Sequence, residues 1–382
     1  MSGRKLALVL AVLLAATAAP AAAAPPVGAG GPPERFIVVL HDGADPQAVA
    51  NEHANNHAAQ IAFVYTRALN GYAAVIPNER VPAIRGDQRV KYVEPDQVAT
   101  TMAQAVPYGI KTVGADVSPT ATAGNGSGSV SNVNAYVIDS GIDKSHPDLS
   151  VINHVNFTSG SNKDCNGHGT HVAGTVAARD NTRDVVGVSP GSPLTGVKVL
   201  GCDGQGYYSW IIKGVDWVTA NAKNPAVANM SLGGEPSQAL DDAVRNSAAS
   251  GIFYAVAAGN SGKNACDYSP ARAGAGTDNG IATIAATDSA DKEASFSNFG
   301  SCVDMWAPGV SVVSTRKGGG TTTKSGTSMA APHVAGGASV YLSTHPGSST
   351  ASVESALRQA LQVPGSTSKD GELIHREHIG TF

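Results

Sequence analysis

The chain has 382 residues, 42% of them hydrophobic, with 44 glycines and few aromatics. That is an ordinary globular composition with room for two or more domains, tight turns and close helix packing. A net charge of −4 and a pI near 6.2, with no basic run, exclude a nucleic-acid binder, which needs a concentrated basic surface.

Residues 1–24 carry Arg4 and Lys5, an apolar run over 6–19 and an alanine-rich end, the pattern of a cleaved secretory signal peptide. The run is short for a bilayer span and no other segment could cross a membrane, so no membrane association is expected after its removal. Export means an oxidising environment. The four cysteines, Cys165, Cys202, Cys266 and Cys302, therefore read as two disulfides rather than metal ligands, with three pairings open. Residues 25–33 are a Pro, Gly and Ala linker. FIVVL (36–40), IAFVY (61–65), GYAAVIP (71–77) and VKYVEPD (90–96) are strand candidates, with helix candidates at 45–58 and 78–87 between them. The order βαββαβ suggests a small α+β, ferredoxin-like split-βαβ domain, short of core and able to act as a binding module. Residues 97–104 have no strong pattern and mark a boundary.

From about Ala103 apolar strands alternate with helical stretches: VNAYVID, TGVKVL, AVANMSL, IFYAVAAGN and IATIAA. This spacing predicts an α/β fold with a doubly wound, mostly parallel sheet, in which ligands gather at the carboxyl ends of strands. Asp139 ends the first of these strands, either capping the next turn or orienting a histidine. NGHGTHVAGT (166–175) places His168 and His171 at the start of a small-residue helix. Their spacing suits a metal, but no third ligand follows at a recognised interval, and one cleft-facing imidazole able to accept and return a proton is more economical. NMSLGG (229–234), AVAAGN (255–260) and Gly204-Gln205-Gly206 expose backbone to which a peptide could add as a strand, unless they only pack helix on sheet. Asn260 is either an oxyanion donor or a turn residue. In SGTSMAAPHVAG (325–336) a polar turn runs into a helix, and Ser328 at its start is either a nucleophile facing the positive helix end or an ordinary N-cap.

DSGID, GHGTHVAG and GTSMAAPHVAG, in the order Asp, His, Ser, resemble the subtilisin-like serine proteases, closest to the proteinase K and aqualysin branch. The likeness runs from about residue 103 to 342. It implies Ser328 as nucleophile, His168 as general base and then acid, Asp139 as its orienting carboxylate, and Asn260 with the Ser328 N–H as oxyanion hole. It gives His171 and His333 no catalytic part. Ser231-Leu232-Gly233 and Gly204-Gln205-Gly206 match substrate rails; Ala257, Ala258 and Gly259 match walls of the pocket for the residue before the cut bond, with Tyr208 flanking a more distant subsite. DCNGHGTH and GCDGQG, NACDYSP and GSCVDMWAPG resemble the aqualysin pattern, implying Cys165–Cys202 and Cys266–Cys302. MAQAVPYG and AARDNTRDVVGVSP resemble calcium-binding segments, implying one structural Ca2+ held by Gln104, Asp148 and Asn181 side chains and the carbonyls of Arg179, Arg183 and Val185. Asp184 replaces a glycine common there.

The front domain then reads as the inhibitor propeptide. The expected organisation is signal peptide 1–24, linker 25–33, inhibitor and folding-template propeptide 34–102, and catalytic domain 103–382. The expected protein is a secreted, extracellular, monomeric serine endopeptidase acting on proteins and peptides, made as a self-processing precursor that its own propeptide inhibits. Small pocket walls without buried charge favour apolar or aromatic residues before the cut bond, although AGAGTDNG (273–280) is longer and richer in glycine than that branch leads one to expect. A peptide-binding pseudoprotease would need a missing catalytic member, and a metal-dependent hydrolase would need a third ligand beside His168 and His171.

Overall fold

The computed structural model describes residues 34–96 and 104–382. The signal peptide, the linker and the expected cut near Met102 lie outside the described residues. The chain divides near residue 100 into two compact units.

In the first unit, β1 (Glu34–Leu40), α1 (Pro46–His57), β2 (Gln60–Tyr65), β3 (Gly71–Ile76), α2 (Val81–Arg85) and β4 (Val90–Pro95) form an antiparallel sheet of order β2-β3-β1-β4. Alternation decides which face is buried: Phe36, Val38 and Leu40 of β1 and Tyr72, Ala74 and Ile76 of β3 share one core with Val49 and Ala50 of α1 and Val81 and Ile84 of α2. Asp45 starts α1 by accepting from the N–H groups of Gln47 and Ala48 at 2.9 and 3.1 Å, with Pro46 as first helical residue. The element order matches the βαββαβ reading; only the second helix is shorter, since 78–80 form a 3-10 turn.

The second unit opens with the short α3 (Tyr108–Thr112), followed by β5 (Asn134–Asp139), β6 (Val151–Asn156), α4 (His168–Ala177), β7 (Leu194–Lys198), α5 (Tyr208–Asn221), β8 (Ala226–Met230), α6 (Gln238–Ala249) and β9 (Phe253–Ala257). It closes with β10 (Ile281–Thr287), β11 (Met305–Pro308), β12 (Val312–Thr315), β13 (Thr321–Lys324), α7 (Thr327–Thr344) and α8 (Thr350–Gln359). Seven strands form one parallel sheet of order β11-β10-β9-β8-β5-β7-β6, and β12 and β13 form a separate hairpin. The inner strands β5, β7, β8, β9 and β10 are buried almost throughout, because helices cover both faces of the sheet. All five correspond to the apolar runs in the sequence. β6 escapes such a reading, since VINHVN lies at the sheet edge with Ile152 58% exposed and no continuous apolar signal. After β5 the chain adds β6 and β7 on one side of it and, from β7, crosses to add β8 to β11 on the other, so β5 and β8 flank the switch point, where such sheets bind ligands at the carboxyl ends of their strands.

Two disulfides tie loops of this unit, Cys165 to Cys202 and Cys266 to Cys302. Among the described residues no helix is long and apolar enough to cross a membrane.

Candidate active site

Asp139 ends β5 and is fully buried, and His168 begins α4. The imidazole Nδ1–H donates to the Asp139 carboxylate, 2.8 and 2.9 Å from its two oxygens. Burial alone would lower the pKa of this ring. Attraction to Asp139 and the hydrogen bond outweigh it and leave the His168 pKa raised. With Nδ1 so engaged, the proton-accepting position is Nε2.

Packing holds the pair. Gly169 has no side chain because a Cβ there would lie 2.1 Å from the Gly141 carbonyl and 3.1 Å from Asp139 Oδ1, so only glycine lets α4 approach the turn after β5 so closely. The Gly169 N–H donates to Ser140 Oγ at 2.9 Å, and Ser140 Oγ donates to Asp164 Oδ1 at 3.0 Å. Asp164 also accepts from the backbone N–H groups of Asn166, Gly167 and Thr170, fastening the first turn of α4. Beneath lies Lys198, fully buried at the end of β7, whose ammonium donates to the carbonyls of Ser140 (2.9 Å) and Leu200 (2.7 Å). Burial lowers its pKa, yet the cation joins the Asp139 turn to the strand leading into Gly204-Gln205-Gly206.

Ser328 is the second residue of α7, not its cap. The N-cap position is Gly326, which offers no side chain, and Ser328 Oγ donates to the Ser231 carbonyl at 3.1 Å. The capping alternative is thereby corrected: the hydroxyl points off the helix end toward the segment after β8. Pro332 lies inside α7 and lacks the N–H that would bond the Ser328 carbonyl, and Ser231 Oγ donates to that carbonyl instead at 2.8 Å. This exchange ties Ser231 to the helix end.

Asn260 follows β9. Its Oδ1 accepts from the Thr327 N–H (2.8 Å) and Thr327 Oγ1 (2.9 Å), and the Gly259 N–H donates to Thr327 Oγ1 at 3.1 Å. With its oxygen held, the amide is set so that Nδ2 is the free donor. A Cβ on Gly326 would stand 3.5 Å from Asn260 Nδ2 and 3.7 Å from the Ser328 N, so the missing side chain keeps the space before both donors open. Two N–H groups on either side of one open space are an arrangement for holding an oxyanion.

The two segments expected to grip a substrate, Gly204 to Gly206 and Ser231 to Gly233, line one cavity of about 430 Å³ together with Asn166, His168, Leu200, Tyr208, Ile211 and Gly234. Tyr208 spans it, donating its hydroxyl to the Glu235 carbonyl at 2.6 Å. An adjoining cavity of about 200 Å³ runs from Leu232 to Gly234 past Ala257, Ala258, Gly259, Asn260, Ser261, Tyr268, Ser269 and Ala271 to Thr327 and Ser328. Its walls are uncharged and, apart from Leu232 and Tyr268, small. The Cys165–Cys202 disulfide ties the loop before His168 to the Gly204 rail.

The two other motif histidines do structural work. His171 Nε2 lies 3.1 Å from the Val312 carbonyl and 3.2 Å from that of Thr322, bridging α4 to the hairpin, and burial lowers its pKa to about 4. His333 bonds the Met329 carbonyl within α7 at 2.9 Å, and burial likewise lowers it to about 4. His171 does not share a site with His168.

The expected calcium donors are mostly together. Gln104 Nε2 donates to the carbonyls of Arg179 (2.6 Å) and Val185 (3.0 Å), and Asn181 Nδ2 donates to Asp148 Oδ1 at 2.6 Å. Two carbonyls and a carboxylate thus converge where amide N–H groups stand. Turning both amides over would replace those groups with oxygens, a donor set suited to a hard cation. Burial pushes the Asp148 carboxyl up to about 6. Arg183 enters through its N–H, donated to Asn181 Oδ1 at 2.7 Å, and Asp184 adopts the left-handed backbone (φ 51°) that a glycine would adopt more readily. Among the described residues no cluster of three His, Cys, Asp or Glu side chains is placed to hold a metal, so a cation here would depend on carbonyl and amide oxygens.

Sequence reasoning missed Thr327, Ser140, Asp164 and Lys198. Thr327, Ser140 and Asp164 sit within recognisable motifs, but nothing in the sequence announces Lys198.

An oriented imidazole, a serine at a helix N-terminus and an amide donor beside it, at the carboxyl ends of parallel strands, are the equipment of a serine hydrolase. Residues 130–373 match the Subtilase family and residues 35–102 the Peptidase inhibitor I9 family. An extracellular serine proteinase of Thermus sp. (strain Rt41A) is 40% identical over 354 residues, 85% of this chain and 84% of its own. Subtilisin E of Bacillus subtilis is 42% identical over 78% of this chain and 77% of its own. The crystal structure of a cold adapted subtilisin-like serine proteinase superposes with a TM-score of 0.60 at 41% identity, covering 65% of this chain and 89% of that one. The chain belongs to the subtilase family: it is a serine-type endopeptidase with an inhibitor I9 domain at its front.

Proposed function

We propose that the protein is secreted and cleaves proteins and peptides outside the cell through an acyl-enzyme formed on Ser328. The observation that carries this reading is the bond from His168 Nδ1 to a fully buried Asp139, which leaves Nε2 as the base. His168 takes the Ser328 proton as Oγ attacks the scissile carbonyl, and Asp139 holds the ring and stabilises the imidazolium. Asn260 Nδ2 and the Ser328 N–H receive the oxyanion, and His168 returns the proton to the leaving amine. Ser231-Leu232-Gly233 and Gly204-Gln205-Gly206 grip the substrate as flanking strands, and the small cavity beside Asn260 takes an apolar or aromatic P1 side chain. The relatives' names and the secretory pattern of residues 1–24 support the location.

A fluorophosphonate probe should label the processed protein at Ser328 alone, with or without a zinc chelator. Absence of labelling would turn the reading toward a peptide-binding pseudoprotease.

The domain order follows: signal peptide 1–24, linker 25–33, propeptide 34–102 and protease 103–382, acting as a monomer. The protease cuts its own chain near Met102 and is then inhibited by the released propeptide.

One structural Ca2+ bound by Gln104, Asp148, Asn181 and the carbonyls of Arg179, Arg183 and Val185 would tie the start of the mature chain to the loop after α4. Ligand held only by the folded state adds about 2.7 kcal/mol of stability at a concentration a hundredfold above its Kd. Removing calcium from the mature protein with a chelator is accordingly expected to lower its thermal midpoint by several degrees. Unchanged calcium content and an unchanged midpoint would refute the site.

A further inference from the structure

The loop at residues 273–280 follows the wall of the small cavity beside Asn260, and it is gripped rather than loose. Glu354, fully buried on α8, turns its carboxylate into the loop. It accepts from three successive backbone N–H groups, those of Asp278 (3.1 Å), Asn279 (2.8 Å) and Gly280 (2.8 Å). Asp278 is left-handed (φ 55°) and Gly280 also has a positive φ (83°), so consecutive amides point at one place and form a nest for an anion. Here that anion comes from the protein itself.

Two further links run from the grip to the cavity wall. Arg358, one turn along α8, donates to Glu354 Oε1 at 3.0 Å, to the Gly276 carbonyl at 3.2 Å and to Asp304. The other oxygen of Asp304 accepts from the Thr283 N–H at 2.6 Å, and Thr283 Oγ1 donates to the carbonyl of Ala271, a wall residue, at 2.6 Å. Independently, Asn279 Nδ2 donates to the Gly274 carbonyl at 3.0 Å, while its Oδ1 accepts from the Ile281 N–H at 2.9 Å. Both links end on the turn that carries Ala271.

We propose that Glu354 is a positioning residue for P1 selection: through the amides of 278–280, Arg358 and Asn279 it holds the Tyr268 to Ala271 wall against the pressure of a large P1 side chain. It touches no substrate and acts only through the loop. The proposal rests on the reading of the small cavity as the P1 pocket. A long glycine-rich loop beside a specificity pocket would otherwise let the wall yield, raising KM for bulky side chains first, because only these press on it.

The test uses the processed protease and two peptides that differ only at P1, alanine against phenylalanine. Glu354→Gln keeps the shape but removes the charge that three N–H groups and Arg358 converge on. Asn279→Ala cuts the second link without touching the buried carboxylate, and it carries the test if the first variant does not fold. Ala271→Val alters the wall itself. In Glu354→Gln and Asn279→Ala the Phe-to-Ala ratio of kcat/KM is expected to fall about tenfold, the low end of the effect of one methylene of pocket misfit. The loss should lie in KM for the phenylalanine peptide, with kcat for the alanine peptide and the labelling rate of Ser328 unchanged. If Ala271→Val shifts the ratio while both other variants stay within about twofold of wild type, even with a lower thermal midpoint, the grip is structural only and the proposal is overturned. If Ala271→Val leaves the ratio unmoved, the cavity is not the P1 pocket, and the reading beneath the proposal falls with it.

Discussion

Replacing Ser328 with alanine is expected to reduce kcat by about 10⁶-fold, the magnitude found on removing the nucleophile of a subtilisin and not one derived from this chain. The loss should be that large because the other groups of the proposed site cannot attack the carbonyl: His168 and Asp139 move and hold a proton, and Asn260 Nδ2 and a backbone N–H only stabilise charge. The fold should survive, since Ser328 contributes one side-chain bond, to Ser231, and the bond from Ser231 Oγ to the residue 328 carbonyl does not depend on its side chain. A second consequence is diagnostic. If the protease cuts its own propeptide, the variant should accumulate as one chain joined across residue 102, seen by mass on a denaturing gel. Processing of the purified variant at the wild-type rate would show that the cut is made by another enzyme.

Asn260→Leu should cost about 10²–10³ in kcat with little change in KM, again a figure measured by removing this kind of donor in a subtilisin. The donor matters in the transition state alone, because the oxygen it faces becomes charged only there. In that proposed role Thr327 would pre-set the amide: its N–H and hydroxyl hold Oδ1, which leaves Nδ2 as the donor without reorganisation when charge develops. The pH profile provides the internal control. The His168 pKa is raised, with Asp139 overcoming the effect of burial, and neither group touches Asn260. The base must be neutral, so kcat/KM should rise with pH through a midpoint above the ordinary imidazole value of about 6.5. That midpoint should be the same in Asn260→Leu as in wild type. A loss of less than tenfold, or one carried by KM, would remove Asn260 from the oxyanion role.

How much of this was legible before folding differs from residue to residue. The five inner strands, the helices at His168 and Ser328 and the βαββαβ order of the front unit follow from local periodicity, since burial on both faces leaves unbroken apolar runs and burial on one leaves alternation. β6 and β13, the TTTK strand, have no such pattern because one lies at the sheet edge and the other is partly exposed, and β12 is buried but only four residues long.

Within the site, the sequence by itself supplied the chemical types and their order: a carboxylate ending a strand, a histidine and a serine each opening a small-residue helix, and an asparagine after another strand. It could not decide whether Ser328 caps its helix, because both roles call for the same residue. Only the folded structure decided that: the helix begins at Thr327 with Gly326 at its N-cap, and the Ser328 hydroxyl turns to the Ser231 carbonyl instead. The same holds for Lys198 under the Asp139 turn, for Thr327 on Asn260 and for Glu354 under the 273–280 loop. In most of these pairs the partners lie far apart along the chain, and even neighbours such as Ser328 and Thr327 act on residues of distant strands. Their meeting is set by the order in which parallel strands and their covering helices assemble, which no local pattern of residues encodes.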